Sequence, residues 1–330
     1  MANEMNSTFV DEEALAYQQL PITFSIRFWI YLISNVLSLP FCFFILFHLL
    51  FNRNLRETLS NHIIIVLLLL VLAMECIYFP LAVHYYRLGG NWHVPRPFSQ
   101  LWTYSLFGLF PTQTVVFAWC TIERHILIFH NHLLATKANR ILVHYVPLVV
   151  VPVYCLTYYG LNIFIPFHSI CRYLDVQSTV IGVYLPCFFF NPIHLKIDVI
   201  IHQIIPILII ITSTLALFFR FQRQRVHRRR SMQWKKQRKL IIQVLSIVTV
   251  FGVFQFPWAL LESWNLFGIP FGSLGVIQNY MLFFNCYSVH LFPLVCIGTI
   301  PEISKKMAKL LWWKRPYVQV YPLTLSLNRN

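Results

Sequence analysis

Seven long apolar runs divide the chain, at about 24–50, 60–83, 100–129, 140–164, 198–221, 237–261 and 273–298. Each meets the roughly 20 residues that a helix needs to cross a bilayer core. The runs are continuously apolar and do not alternate in and out, as barrel strands do. A helix also satisfies its own backbone hydrogen bonds, which lipid cannot do. The pattern therefore predicts an all-α, seven-transmembrane helix bundle. The fourth run is least sharp where YYGLNIFIPF trails into a loop. The segment PEISKKMAKLLWWKR follows the seventh run. Its Ile303, Met307, Leu310 and Leu311 recur at helical spacing with Lys305, Lys306 and Lys309 between them. That spacing predicts a short amphipathic helix on the membrane face, opened by Pro301, with Trp312 and Trp313 at headgroup depth. The expected organisation is a tail over 1–23, the bundle over 24–300, the surface helix over 301–313 and a second tail over 314–330. The loop stretch TVIGVYL, rich in β-branched and aromatic residues, reads as a candidate hairpin strand.

Composition agrees with membrane residence. The 330 residues are 58% hydrophobic and 11% charged, with a mean hydropathy of +0.63. A soluble domain carries about a quarter charged residues. Residues 1–22 are polar and acidic and lack the basic start and apolar core of a secretory signal, so the first run is expected to act as its own insertion signal.

Charge supplies the orientation. Of 26 Lys and Arg, 21 fall on the side of the loops after the first, third and fifth runs and of the C-terminal tail. The other five are Arg27, Arg87, Arg96, Arg172 and Lys196. Cytoplasmic loops are the ones enriched in these residues, which predicts an external N-terminus and a cytoplasmic C-terminus. The net charge of +15 is then an orientation signal, and no nucleic-acid partner is called for. The basic loop RFQRQRVHRRRSMQWKKQRK also suits anionic headgroups or an acidic partner surface. Asn6 opens a glycosylation sequon in the external tail. Cys171 and Cys187 share an external loop, where a disulfide and two unpaired thiols are both compatible with the sequence.

The third run ends in WCTIERHILIFH, with Glu123, Arg124 and His125 beside hydrocarbon. A buried Arg needs a partner, and Glu123 is its nearest carboxylate in sequence. Seven runs, an external N-terminus, a basic third inner loop and a surface helix resemble a G-protein-coupled receptor of the rhodopsin-like class. Within that class the resemblance is to unassigned invertebrate receptors. It covers about residues 24–313 and implies that Glu123-Arg124-His125 is the switch that couples to a heterotrimeric G protein. It implies that Asn35 faces inward in the first span, and that Pro257 in FQFPW and Pro293 in HLFPLVC are helix hinges. It further implies a plasma-membrane location.

Several positions depart from the class pattern. Ser99 stands where the class has a cysteine, Val71 where it has an aspartate, Gln255 where it has a tryptophan, and Phe292 and Cys296 where it has Asn and Tyr. Gln237 replaces the acid that would bridge Arg124 from the sixth span, so a looser resting state with higher basal activity is expected. Cys286 at the retinal-lysine position sets aside an opsin, and Leu106 at the amine-binding aspartate position sets aside a biogenic-amine receptor.

The upper bundle offers Tyr104, Phe107, Phe110, Trp258, Trp264, Gln278, Asn279 and Phe283, a mix that suits a peptide or a neutral, apolar small molecule. Glu262 and Asp198 lie nearby, as contacts for a basic group or as interfacial charges. Glu75, an ionisable group inside the second run, is a functional candidate by its position alone. Metalloprotease and desaturase histidine boxes and a Gly-x-Ser-Gly motif are absent from the sequence, so neither catalysis, a resident metal nor a cofactor is expected. The alternative class is a multi-pass transporter, which would favour Gly- or Pro-interrupted helices in two related halves.

Overall fold

The computed structural model describes residues 22–92, 94–130, 134–165, 183, 186, 191–227, 232–264, 266 and 275–312. It has seven helices long and apolar enough to cross a membrane. They are α1 (Phe24–Phe51), α2 (Leu59–Arg87), α3 (Pro97–Phe129), α4 (Lys137–Phe164), α5 (Pro192–Arg223), α6 (Ile241–Trp264) and α7 (Tyr280–Thr299). A further helix, α8 (Pro301–Trp312), follows, with Ile303 buried against the bundle and Lys305, Lys309 and Leu310 exposed. No strand occurs among the described residues. Asn6, Cys171, Cys187, Trp313, the tail 314–330 and all but Val183 of TVIGVYL lie outside them, as do the side chains of Gln237, Gln278, Asn279, Leu311 and Trp312.

Local chemistry accounts for the helix ends. The Thr23 side chain accepts from the Ile26 N–H, that of Thr136 from Asn139, and that of Asn191 from Ile193 and His194. Such caps satisfy orphan N–H groups of the first turn. The Asn191 cap, followed by Pro192 at the first helical position, is why α5 begins at Pro192 and not at the apolar onset near 198.

Three spans contain a π-helical segment: Ser105–Leu109 in α3, Ile141–Tyr145 in α4 and Val199–Ile204 in α5. Each ends two residues before a proline, respectively Pro111, Pro147 and Pro206. Proline lacks an N–H and its ring collides with the carbonyl four residues back. A wider turn accommodates that collision without breaking the helix, and it rotates everything on its N-terminal side by about one residue's 100°. By contrast, helix continues through Pro257 and Pro293, the two expected hinges. The interruptions fall at Ile77 in α2 and at Cys286 in α7. These two breaks lie side by side, with the Cys286 Sγ 3.8 Å from the Tyr78 hydroxyl.

Neighbouring spans pack around the ring, α1 on α2 and α7, α7 on α6, α6 on α5. Helix α3 runs through the middle, against α2, α4, α5 and α6. Its most apolar stretch is 78% buried, whereas that of α4 is 11% buried. Helix α3 is the axis of the bundle, and α4 is its most lipid-facing span. The ends of α1, α3, α5 and α7 nearest α8 define one face of the bundle, called here the α8 end.

Candidate functional site

At the α8 end, Glu123 and Arg124 are 2% and 1% exposed. Consecutive residues of a helix point about 100° apart, so their side chains do not face each other. The expected Glu123–Arg124 pairing is accordingly not made, and each residue reaches a different helix. The Arg124 Nη2 donates to the carbonyl oxygen of Ser60 at the start of α2. Its Nε and Nη1 have no hydrogen-bond partner. The Glu123 Oε1 accepts from the Nδ1 of His144 in α4, 2.8 Å away. His125 is half-buried, its ring 5.0 Å from that of Phe129, and its Nδ1 is unpartnered.

The Glu123 contact extends into a chain. The His144 Nε2 lies 2.9 Å from the His62 Nδ1, and the His62 Nε2 lies 2.7 Å from the Arg56 carbonyl oxygen. The chain joins α2, α3 and α4 at their α8 ends.

Near mid-bundle, Glu75 is fully buried, with the His290 Nδ1 of α7 at 3.8 Å. Neither Glu75 oxygen and neither His290 nitrogen makes a hydrogen bond. The Asn35 Nδ2 donates to the Glu75 carbonyl oxygen at 3.3 Å, and the Ser38 hydroxyl donates to the His290 carbonyl oxygen at 2.9 Å. Both bonds tie α1 into the same junction. It sits beside the α2 and α7 breaks.

Towards the opposite end, Asp198 of α5 accepts from His202 at 2.9 Å and from the Tyr159 hydroxyl of α4 at 3.0 Å. The second nitrogen of His202 meets the Tyr154 hydroxyl at 3.3 Å. Asp198 and His202 are four residues apart on one helix face, the spacing at which side chains meet.

A cavity lies between α3, α5, α6 and α7 at this end. Leu106, Phe107, Phe110, Gln203, Trp258 and Glu262 line it, with Pro111, Leu282 and Asn285 completing the wall. Its empty volume of about 280 Å³ includes space open to solvent. Leu106, Phe107 and Gln203 come from the two π segments at this end, so Pro111 and Pro206 act on which side chains the cavity receives. Of the residues expected here, Phe107, Phe110, Trp258 and Glu262 are present. Tyr104 is not: its hydroxyl donates to the Leu156 carbonyl oxygen at 3.2 Å and its ring packs on Phe164, towards α4. Gln203 and Asn285 were missed by sequence reasoning. Each is a lone amide within an apolar run, the one signal available for it.

Among the described residues, no group of three or more His, Cys, Asp or Glu side chains is arranged to share a metal ion. Compared with known proteins, the chain matches no protein-family model and no curated protein. The seven-helix membrane bundle is the level at which the chain is classified.

Proposed function

We propose that the protein is a G-protein-coupled receptor of the plasma membrane. In this reading its N-terminus is external, its ligand enters the cavity end, and a heterotrimeric G protein docks at the α8 end. The reading includes no catalytic step of its own. The observation that carries it is Arg124, a guanidinium 1% exposed and held by a single backbone carbonyl, with two nitrogens unpartnered. A buried charge so thinly satisfied gains by moving to a better acceptor. Such a group responds to a partner that presents acceptors at the α8 end. The excess of Lys and Arg on that side supports the orientation. Gln237, in place of a carboxylate, supports a loose resting state with measurable basal signalling.

The test is a second-messenger assay in cells comparing the wild type with Arg124→Ala, with surface expression measured in parallel. Arg124→Ala is expected to reduce basal and stimulated coupling by at least tenfold at equal surface level. Coupling that persists unchanged in Arg124→Ala removes the proposal.

A second reading, a transporter, is favoured by one observation. The breaks at Ile77 and Cys286 adjoin each other and the buried Glu75–His290 pair, and interrupted helices beside an ionisable pair are a transporter's way of building a mid-membrane site. Substrate or proton flux through proteoliposomes, without coupling in cells, would replace the receptor by this alternative.

A further inference from the structure

Four carboxylates lie within the described spans: Glu75, Glu123, Asp198 and Glu262. An ionisable group at membrane depth calls for a partner. Three have a histidine, at 3.8 Å for Glu75, 2.8 Å for Glu123 and 2.9 Å for Asp198. Glu262 is the exception. Among the described residues no Lys, Arg or His nitrogen lies within 4.0 Å of it. It is 7% exposed, the Trp258 side chain hydrogen-bonds its carboxyl, and its Oε2 is left without a partner.

What Glu262 faces instead is the cavity. Two other wall residues share its condition: the Gln203 Oε1 and the Asn285 Oδ1 are unpartnered, in side chains 6% and 2% exposed. Helices α5, α6 and α7 thus each contribute one buried oxygen that lacks a donor. Three acceptors do not satisfy one another. Water could donate to them, but it brings no charge to offset a carboxylate. An ammonium brings three donors and a guanidinium five, each with a positive charge. Trp258, Phe107 and Phe110 in the same wall suit such an occupant, since a cation is attracted to the face of an aromatic ring.

We propose that this cavity binds a small organic cation, an ammonium or guanidinium on an apolar body, with the Glu262 carboxylate as its counter-ion and the Gln203 and Asn285 side-chain oxygens as further acceptors. The proposal deepens the receptor reading, and rests on it for the consequence of binding. It also replaces the neutral ligand expected from the aromatic residues alone.

The test is thermal unfolding of the purified full-length protein in lipid nanodiscs at neutral pH, titrated with phenethylamine, benzylguanidine and the uncharged 2-phenylethanol. Both cations are expected to raise Tm with concentration, and the alcohol to leave it unchanged. Glu262→Gln should weaken cation binding on the order of a hundredfold. That variant replaces a buried carboxyl by an amide of the same shape, so it should melt close to the wild type without ligand. Gln203→Leu, which removes one neutral acceptor, should weaken binding about tenfold and serves if Glu262→Gln does not fold. The proposal is overturned if neither cation raises Tm, if the alcohol matches them, or if the substitutions at Glu262 and Gln203 leave binding intact. Arg124→Ala separates the two proposals, because it should retain cation binding while losing coupling. Binding without coupling in the wild type sinks the receptor alone. Coupling without cation binding sinks the cation alone.

Discussion

Helices α3 and α4 are neighbours of similar length, yet they belong to the bundle for opposite reasons. Helix α3 is buried along most of its course, and Phe117 at its centre stacks on Phe251 of α6 at 4.4 Å. Helix α4 turns Val149, Val150, Val153 and Tyr154 outward, and its buried residues in the described span are His144, Cys155, Tyr159 and Ile163. Two of these four carry polar contacts, one near each end. His144 meets Glu123 at the α8 end, and Tyr159 meets Asp198 at the other. Lipid tails are as apolar as a leucine side chain, so burying an apolar face among helices gains little over leaving it in the bilayer. Helix α4 is therefore pinned by polar pairs, whereas α3 is held by packing.

The comparison is broken most severely at His144. His144→Ala removes the partner of a buried carboxylate and the middle of the Glu123–His144–His62 chain. Leaving one member of a buried ion pair uncompensated costs about 3–5 kcal/mol. Chemical or thermal unfolding in nanodiscs should read this as the largest loss of the series. Glu123→Gln, which keeps an acceptor for the His144 N–H, should lose clearly less. If the two variants are equally unstable, the pin does not act through the hydrogen bond.

Phe117→Ala tests the other helix. In water, Phe→Ala in a core costs about 3–5 kcal/mol, partly transfer energy and partly the cavity left behind. Unfolded within the bilayer, the ring stays in an apolar medium, so mainly the cavity part remains. A residual void of ~80 Å³ at ~24 cal/mol per Å³ gives about 2 kcal/mol. In this protein the polar pin of a peripheral helix should thus outrank the central aromatic of the core. A larger loss for Phe117→Ala than for His144→Ala would reverse that order and the argument behind it.

How much of this was legible beforehand follows the same division. Span number, the surface helix and the buried Glu123 and Arg124 were readable because they depend on residue type along one chain. The partners were not readable. His62, His144 and His290 stand singly in three different apolar runs, and each lies opposite its partner only once helices are rotated and set in depth. Rotation depends on the π segments before Pro111, Pro147 and Pro206, so a single proline decides which side chains a whole turn presents. Tyr104 shows the consequence. It lies one residue before the α3 π segment and points to α4, whereas Leu106 and Phe107 within that segment reach the cavity. Regular helical periodicity would put Tyr104 on one face with Phe107, three residues on. The prolines are visible in the sequence, but nothing in it tells those that follow a π segment from Pro257 and Pro293, which lie inside α-helix.

Tyr159→Phe probes the second pin of α4 by deleting one hydroxyl and little else. Its 3.0 Å bond to Asp198 is not the only one this carboxylate accepts, since His202 supplies another at 2.9 Å. Asp198 therefore keeps a partner, and the loss should be that of an ordinary interhelical hydrogen bond in a membrane, about 0.6 kcal/mol. Asp198→Asn is the sharper companion, because it weakens both bonds at once and should exceed Tyr159→Phe.

The smallest effect should come from α4's outward face, and its size decides whether the pins are sufficient. Val149 is 59% exposed, and Val149→Ala removes methyl groups that touch lipid on both sides of the unfolding equilibrium. No cavity forms within the bundle, no polar group loses a partner, and alanine is at least as good a helix former as valine. The stability of Val149→Ala should lie within about 0.5 kcal/mol of the wild type. The same should hold for Val150→Ala and Val153→Ala, and for the triple variant, because lipid replaces what is deleted. A loss above about 2 kcal/mol in the triple variant would mean that this face is covered by another protein surface in the membrane and not by lipid. Helix α4 would then be held by packing after all, against a partner outside the chain.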